Sequence, residues 1–297
     1  MIEFTQNLLI FMRVITFLFA ILAISFSLPT WAADVRPFGS NGIIIEGLLI
    51  EGDHAKLVTL LNRSGASIDR VSIYSNGGSV FEAIKIGTLI RDLRLRTIAP
   101  SGYGSRGNVC HGIASQRNCT CLSACVLVFA GGIHYYGNVL GMHRSYVGQD
   151  FPKSVRGDPG INASDQLMYT VSDYLKTMSF PQQFIDTMND THSQNMTLLK
   201  AGDINRFLSG YAPQFSEKLV EKCRSRSGTS QLHDQLERKR KSTGLTAAEQ
   251  QQYASLRTTN SRTFSQCQQT AEKNLREEAF DRMLKNTKKN VSQRPRV

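Results

Sequence analysis

The chain has 297 residues and 33.1 kDa, with 41% hydrophobic and 20% charged residues, which excludes a disordered or collagen-like chain and allows one large domain with a smaller extension. Lys and Arg number 35 against 24 Asp and Glu, a net charge of +11. Residues 214–297 hold 18 Lys and Arg against 9 Asp and Glu, so nine of those charges sit there and the first 213 residues are close to neutral.

Residues 8–28, LLIFMRVITFLFAILAISFSL, are apolar apart from Arg13 and a few Ser and Thr. Pro29 breaks the run, and Thr30 and Ala32 supply the permitted residues of a cleavage site before Ala33. That is the layout of a secretory signal over residues 1–32, and it points to a periplasmic or secreted mature chain. The competing reading is an uncleaved inner-membrane anchor, since about 20 apolar residues can span a bilayer.

From Gly42 the run GIIIEGLLIEG reads as one buried strand, and Asp53 opens an amphipathic helical stretch. Val71–Tyr74 is a second strand leading into Ser75-Asn76-Gly77-Gly78. Ser79 and Glu82 have the spacing of a capping box at the head of a helix, and Leu95–Ala99 is a third strand. Strand and helix alternate, which predicts an α/β architecture with parallel pairing and right-handed crossovers. Residues 100–118 read as a loop, Cys121–Ala130 as a compact apolar helix start closed by Gly131-Gly132, and Tyr135–Met142 as a strand ending at His143. Residues 145–162 read as an exposed loop, and helices are expected over 163–178 and 181–190. Beyond Pro213 the composition turns to Gln, Lys, Arg and Glu without strand-like runs. A helical extension over 213–285 is expected, broken near Gly244 and recapped by Thr246 and Glu249, followed by a basic tail over 286–297.

The six cysteines are Cys110, Cys119, Cys121, Cys125, Cys223 and Cys267. An even number in an exported chain reads as disulfides. The C-x-C and C-x3-C spacings are not those of a zinc ribbon, so neither a metal site nor a cofactor is expected. Cys223 and Cys267 form the natural distant pair; connectivity within 110–125 stays open. Six Asn-x-Ser/Thr triplets are what chance gives in a chain rich in Ser and Thr.

Three features fall in an order that suits acyl transfer, which needs a nucleophile, a base and donors for an oxyanion. Ser123, in the first turn of a helix, is the candidate nucleophile, and the Ala124 amide a candidate oxyanion donor. Gly77 and Gly78 would let backbone N–H groups approach a substrate, and His143 at a strand end is the candidate base. The serine and the histidine also have plain structural readings, as a packing residue and as a surface or core polar group.

Together, Gly77-Gly78-Ser79, the C-L-S-A-C segment followed by Ala130-Gly131-Gly132, and Met142-His143 after a strand resemble the Clp protease proteolytic subunit and its crotonase-like relatives. The similarity is strongest to exported bacterial Clp-like proteins with a C-x-S-A-C motif, and it spans roughly residues 40–210 of this chain. It implies a ClpP/crotonase-like repeated β-β-α spiral core over 34–212. It also implies Ser123 as nucleophile, His143 as base, Gly77 or Gly78 with Ala124 as the oxyanion hole, and a peptide or unfolded-protein substrate. A homo-oligomer is implied as well. The family places an acid after the long helix; here the nearest is Asp190, with Asp186, His192 and Asn195 as competitors. A Ser–Lys dyad does not fit, because a His stands where the base belongs.

The basic cluster Arg238–Lys241 and the tail lysines lack the interleaved aromatics of a single-strand-binding surface, so no nucleic acid is expected. Weak contact of the basic tail with an anionic membrane surface is the remaining use. The expected function is an exported serine hydrolase, a Clp-like peptidase. The alternatives are an inactive Clp-like scaffold that binds a partner through its helical extension, and a membrane-anchored assembly factor that keeps residues 8–28.

Overall fold

Strand β1 (Asp34–Phe38) turns back into β2 (Gly42–Glu46), antiparallel with Asp34 opposite Glu46. Ile43, Ile44 and Ile45 are fully buried, and the run carries no polar alternation because both faces are covered. In this computed structural model the described residues are 32–102, 108–110, 112, 119–147, 162–199, 210–224 and 231–292. The chain divides into Met1–Trp31 and Ala32–Val297, and the described residues belong to the second unit. The expected signal or anchor at 8–28 lies outside them; among the described residues no helix is long and apolar enough to cross a membrane.

After β2 come α1 (Asp53–Ser64), β3 (Arg70–Tyr74), α2 (Val80–Asp92) and β4 (Arg96–Ile98). A short hairpin, β5 (Ser101–Gly102) and β6 (Asn108–Val109), precedes β7 (Cys121–Leu122) and α3 (Ala124–Ala130). Then follow β8 (His134–Tyr136), β9 (Leu140–Met142), α4 (Ala163–Thr177), α5 (Gln182–Asp190), β10 (Thr197–Leu198) and β11 (Gly210–Tyr211). Helices α6 (Pro213–Arg224), α7 (Gln231–Ser242) and α8 (Ala247–Ser292) complete the chain.

The large sheet has the order β1-β2-β3-β4-β8-β11, with β2, β3, β4 and β8 parallel. A second, smaller ladder runs beside it. Leu49 bridges Gly78, Ser75 bridges Cys121, and β7 pairs in parallel with β9, all through residues that follow a large-sheet strand. Each turn of the chain therefore places one strand in the large sheet, one short strand in the second ladder, and then a helix. This is an α/β fold with the repeated β-β-α order.

Two runs expected as single strands are each divided between the two ladders. The chain bends at Gly47 (φ 110°) and at Gly137 (φ 100°), backbone angles that a residue with a β-carbon rarely adopts. Apolar residues continue straight across both bends, so hydrophobic pattern alone does not mark them.

Helices α2 and α3 pack at their small residues. A β-carbon on Gly131 would lie 2.2 Å from the Gly87 carbonyl oxygen, so Gly131 is needed for helix contact rather than as a left-handed cap. Half of the capping box expected at Ser79 is present: the Glu82 amide donates to Ser79 Oγ at 3.4 Å. The Glu82 carboxylate turns elsewhere, accepting the Gly52 and His54 amides at 3.0 and 2.7 Å, and so caps α1 across the fold. The box at Thr246 and Glu249 is reciprocal, as its spacing predicts.

The C-terminal helices join the same hydrophobic core, through Phe215, Leu219, Ala271, Ala279 and Phe280. Cys223 and Cys267 are bonded and tie α6 to α8, a closure of 44 residues that is worth about 4 kcal/mol on a chain-entropy model. Arg96 on β4 holds Glu272 on α8 through two bonds of 2.7 and 2.8 Å, and the Tyr211 hydroxyl donates to the same carboxylate at 2.7 Å. Glu272 is 1% exposed. Helix α8 runs on to Ser292, into the stretch expected as a tail. In the basic cluster, Lys239 pairs with Glu249, and Arg240 and Lys241 with Glu237, so most of its charge is answered within the extension. The side chains of Lys288 and Lys289 lie outside the described residues.

Candidate active site

Ser123 stands between β7 and α3 rather than in the first turn of the helix, with φ 55° and ψ −126°. A non-glycine residue there carries about 1–3 kcal/mol of backbone strain and persists only where its surroundings over-determine it. A sharp strand-to-helix turn of this kind presents its side chain away from both elements. The Ser123 amide donates to the Gly141 carbonyl at 2.8 Å, and the Leu122 amide to the Ser75 carbonyl at 2.9 Å. The third restraint is covalent: Cys121 and Cys125 are bonded across the serine, with Cα atoms 5.2 Å apart. Closing so short a loop is worth on the order of 2 kcal/mol, similar to the strain it spans. Cys110 and Cys119 form the third disulfide, which resolves the connectivity the sequence left open.

His143 follows β9, the strand beside β7. Leu122 lies opposite Gly141, so Ser123 falls beside Met142 and His143 one residue further along. His143 is 9% exposed, and its ring stacks against Tyr146 at 6.0 Å between centroids. Its Nδ1 lies 2.8 Å from the Arg144 carbonyl oxygen. A carbonyl only accepts, so Nδ1 carries the proton and Nε2 of the neutral ring keeps its lone pair. Among the described residues no hydrogen bond joins Ser123 Oγ to His143; such contacts often tighten only with substrate bound.

Gly77 passes directly over the serine. A β-carbon on it would lie 2.8 Å from Ser123 Cβ and 3.2 Å from the Ala124 amide nitrogen. The Gly77 amide is already engaged, donating to Ser75 Oγ at 3.0 Å, while the Ser75 hydroxyl donates to the Gly77 carbonyl at 3.1 Å. Ser75 is fully buried. Gly78 is pinned on its other side by Leu49, whose amide donates to the Gly77 carbonyl and whose carbonyl accepts the Ser79 amide. Among the described residues neither the Gly78 amide nor the Ala124 amide has an acceptor. Of the two glycines, Gly78 has the free donor and Gly77 provides the clearance.

Asp190 ends α5 with its side chain exposed, and among the described residues no hydrogen bond connects it to His143. Its neighbour Thr191 comes nearer, the Arg144 amide donating to the Thr191 carbonyl at 2.9 Å. Asp186 is exposed and accepts from Gln182; His192 accepts from the Gln194 amide. Ser75 and the Arg144 carbonyl are the contributors that sequence reasoning missed. Nothing in the residue pattern distinguishes either; both emerge only from the way the two ladders meet.

Apolar side chains line the same strand. A β-carbon on Gly141 would meet Leu122, Leu198 and Met196 within 3.0 Å, and Leu198 is 63% exposed. Tyr146 is exposed close by.

No family model matches the chain, and no curated protein sequence matches it. Among solved structures it is similar to the 1510-N membrane-bound stomatin-specific protease. A mutant of that protease in complex with a substrate peptide shows 9% identity and a TM-score of 0.35, covering 57% of this chain and 74% of that one. A second mutant shows 9% identity and a TM-score of 0.32, covering 52% and 68%. At these scores the likeness is one of general shape, and the chemistry of this chain rests on its own residues.

Proposed function

We propose that this protein is an exported serine hydrolase of the ClpP/crotonase-like kind, acting on peptides or unfolded protein. The observation that carries the reading is Ser123, held at positive φ under Gly77, with the Ala124 amide beside it and the Gly78 amide next along the glycine loop, neither of which has an acceptor among the described residues. Ser123 Oγ attacks the substrate carbonyl carbon while His143 Nε2 takes its proton. The resulting oxyanion accepts from the Gly78 and Ala124 amides. The tetrahedral centre then expels the leaving amine, which takes the proton from His143, and water releases the acyl group by the same route in reverse.

The exposed Leu198, Met196 and Tyr146 favour a substrate with apolar side chains. Three disulfides fit an oxidising compartment, consistent with periplasmic or secreted protein. Asp190 enters this scheme only if its segment moves toward His143. Assembly into a homo-oligomer belongs to the same reading.

One observation favours the rival, a silent scaffold that binds through its helical extension. The His143 Nδ1 proton rests on a neutral carbonyl, which stabilises an imidazolium less than a carboxylate does. Labelling of the oxidised protein with a fluorophosphonate separates the two. A wild type that labels at Ser123 supports the hydrolase, and a folded wild type that does not label supports the scaffold.

A further inference from the structure

We propose that the Cys121–Cys125 disulfide is the positioning element of Ser123, so that the nucleophile is set only in the oxidised protein. The proposal rests on the hydrolase reading for its activity consequence, but not for its conformational one. Cys121 closes β7 and Cys125 lies in the first turn of α3, so the bond spans the strand-to-helix turn with the serine at its middle. Over five residues a chain that enters as strand must return to a Cα separation of 5.2 Å. The chain manages this through Ser123 at φ 55°, a conformation the residue would leave if the ends were free to part.

Packing makes the coupling stiff. Both cysteines are fully buried, and every residue of α3 is buried. Two thiol sulfurs in contact sit farther apart than two bonded ones, and a close-packed core offers them no extra room. The added separation must be taken up by the backbone, and the most strained link is Ser123. Its neighbours feel the same shift, since the Ala124 amide, which has no acceptor among the described residues, follows it directly and the Ser123 amide is bonded to Gly141.

Formation of the bond is a thiol–disulfide exchange. One cysteine thiolate attacks a glutathione or protein disulfide and releases a thiol, and the second cysteine thiolate displaces the other. Two thiols lose two electrons and two protons in total, and one external disulfide becomes two thiols. Because both sulfurs are buried, the exchange belongs to folding, and the finished bond is shielded from reductant. A chain still in a reducing compartment would thus carry an unset nucleophile.

The experiment compares the oxidised wild type with three double variants, C121A/C125A, C110A/C119A and C223A/C267A. Crystal structures of wild type and C121A/C125A report the backbone at residue 123. Fluorophosphonate labelling and hydrolysis of a chromogenic ester report function. The expected result is a Ser123 that relaxes to negative φ in C121A/C125A. Labelling should be about 100-fold slower, as for a nucleophile displaced by about 1 Å, with kcat reduced and KM unchanged; the other two variants should label at the wild-type rate. A Ser123 that keeps its positive φ without the bond overturns the proposal, as does wild-type kcat in C121A/C125A. A wild type that never labels sinks the hydrolase reading instead, and the φ comparison still decides this one. Should C121A/C125A fail to fold, wild type refolded from the reduced, unfolded chain in graded glutathione buffers replaces it. Labelling must then follow the 121–125 bond in peptide maps, and labelling that follows either other disulfide overturns the proposal.

Discussion

Gly77 passes over Ser123 with no room for a side chain: a β-carbon on the glycine would stand 2.8 Å from that of the serine, closer than real side chains approach. The contact joins the second ladder to the turn that presents the serine, so the proposed oxyanion donors and the nucleophile are fixed by one packing event. Gly77→Ala should force the two apart and reduce Ser123 labelling at least 100-fold. Gly78→Ala meets the Leu49 carbonyl at 2.1 Å and should add a stability loss of about 1–3 kcal/mol. Labelling rates and denaturant midpoints check both.

Ser75 holds the same loop from below. Ser75→Ala leaves the Gly77 amide buried without its acceptor, a loss of about 1–3 kcal/mol in unfolding free energy. Because Ser75 does not touch substrate, kcat should fall about tenfold with KM unchanged. A steady-state series on an ester substrate reads the split.

His143→Ala should lower kcat by about 10²–10⁴, the usual worth of a positioned base. Asp190→Asn should change it by less than threefold, because among the described residues the carboxylate makes no bond to the histidine. A large effect at Asp190 would mean that its segment closes on His143 in the working state.

Much of this arrangement is legible in the residue pattern. The isoleucine run at 43–45, the VSIY strand and the apolar face of α2 follow from hydrophobic spacing, and the Thr246 cap from local chemistry. Ser123 and His143 are marked by their place at the ends of apolar segments. What escapes the pattern is what distant contacts decide. The bends at Gly47 and Gly137 interrupt no apolar run, so two split strands read as continuous. Glu82 spaces like a local cap but serves α1, because Gly52 and His54 present it with two open amides. Ser123 adopts its positive φ where a disulfide, a strand neighbour and a glycine from another turn of the chain meet.

The buried contact between Arg96 and Glu272 ties α8 to the sheet. Arg96→Met removes two of the donors to a carboxylate that is 1% exposed, leaving it the Tyr211 hydroxyl and Arg276 at 3.5 Å, and should destabilise the fold by about 1–3 kcal/mol. Thermal unfolding checks it.

His134 lies beside this pair, and burial, reinforced by the Arg96 charge, lowers its pKa from 6.5 to about 4. The unfolded chain takes up the proton below pH 6.5 while the folded one resists it until about 4, so stability should fall as pH drops through that window. His134→Gln should flatten this part of the profile in urea titrations run at successive pH values.

The proposed hydrolase stands on Ser123 as an activated nucleophile. The most direct measurement is the mass of the oxidised protein after exposure to a fluorophosphonate, followed by peptide mapping. One adduct is expected, on Ser123, absent from Ser123→Ala and strongly slowed in His143→Ala. A folded, fully disulfide-bonded wild type that gains no adduct, or one that labels at another serine, would contradict it.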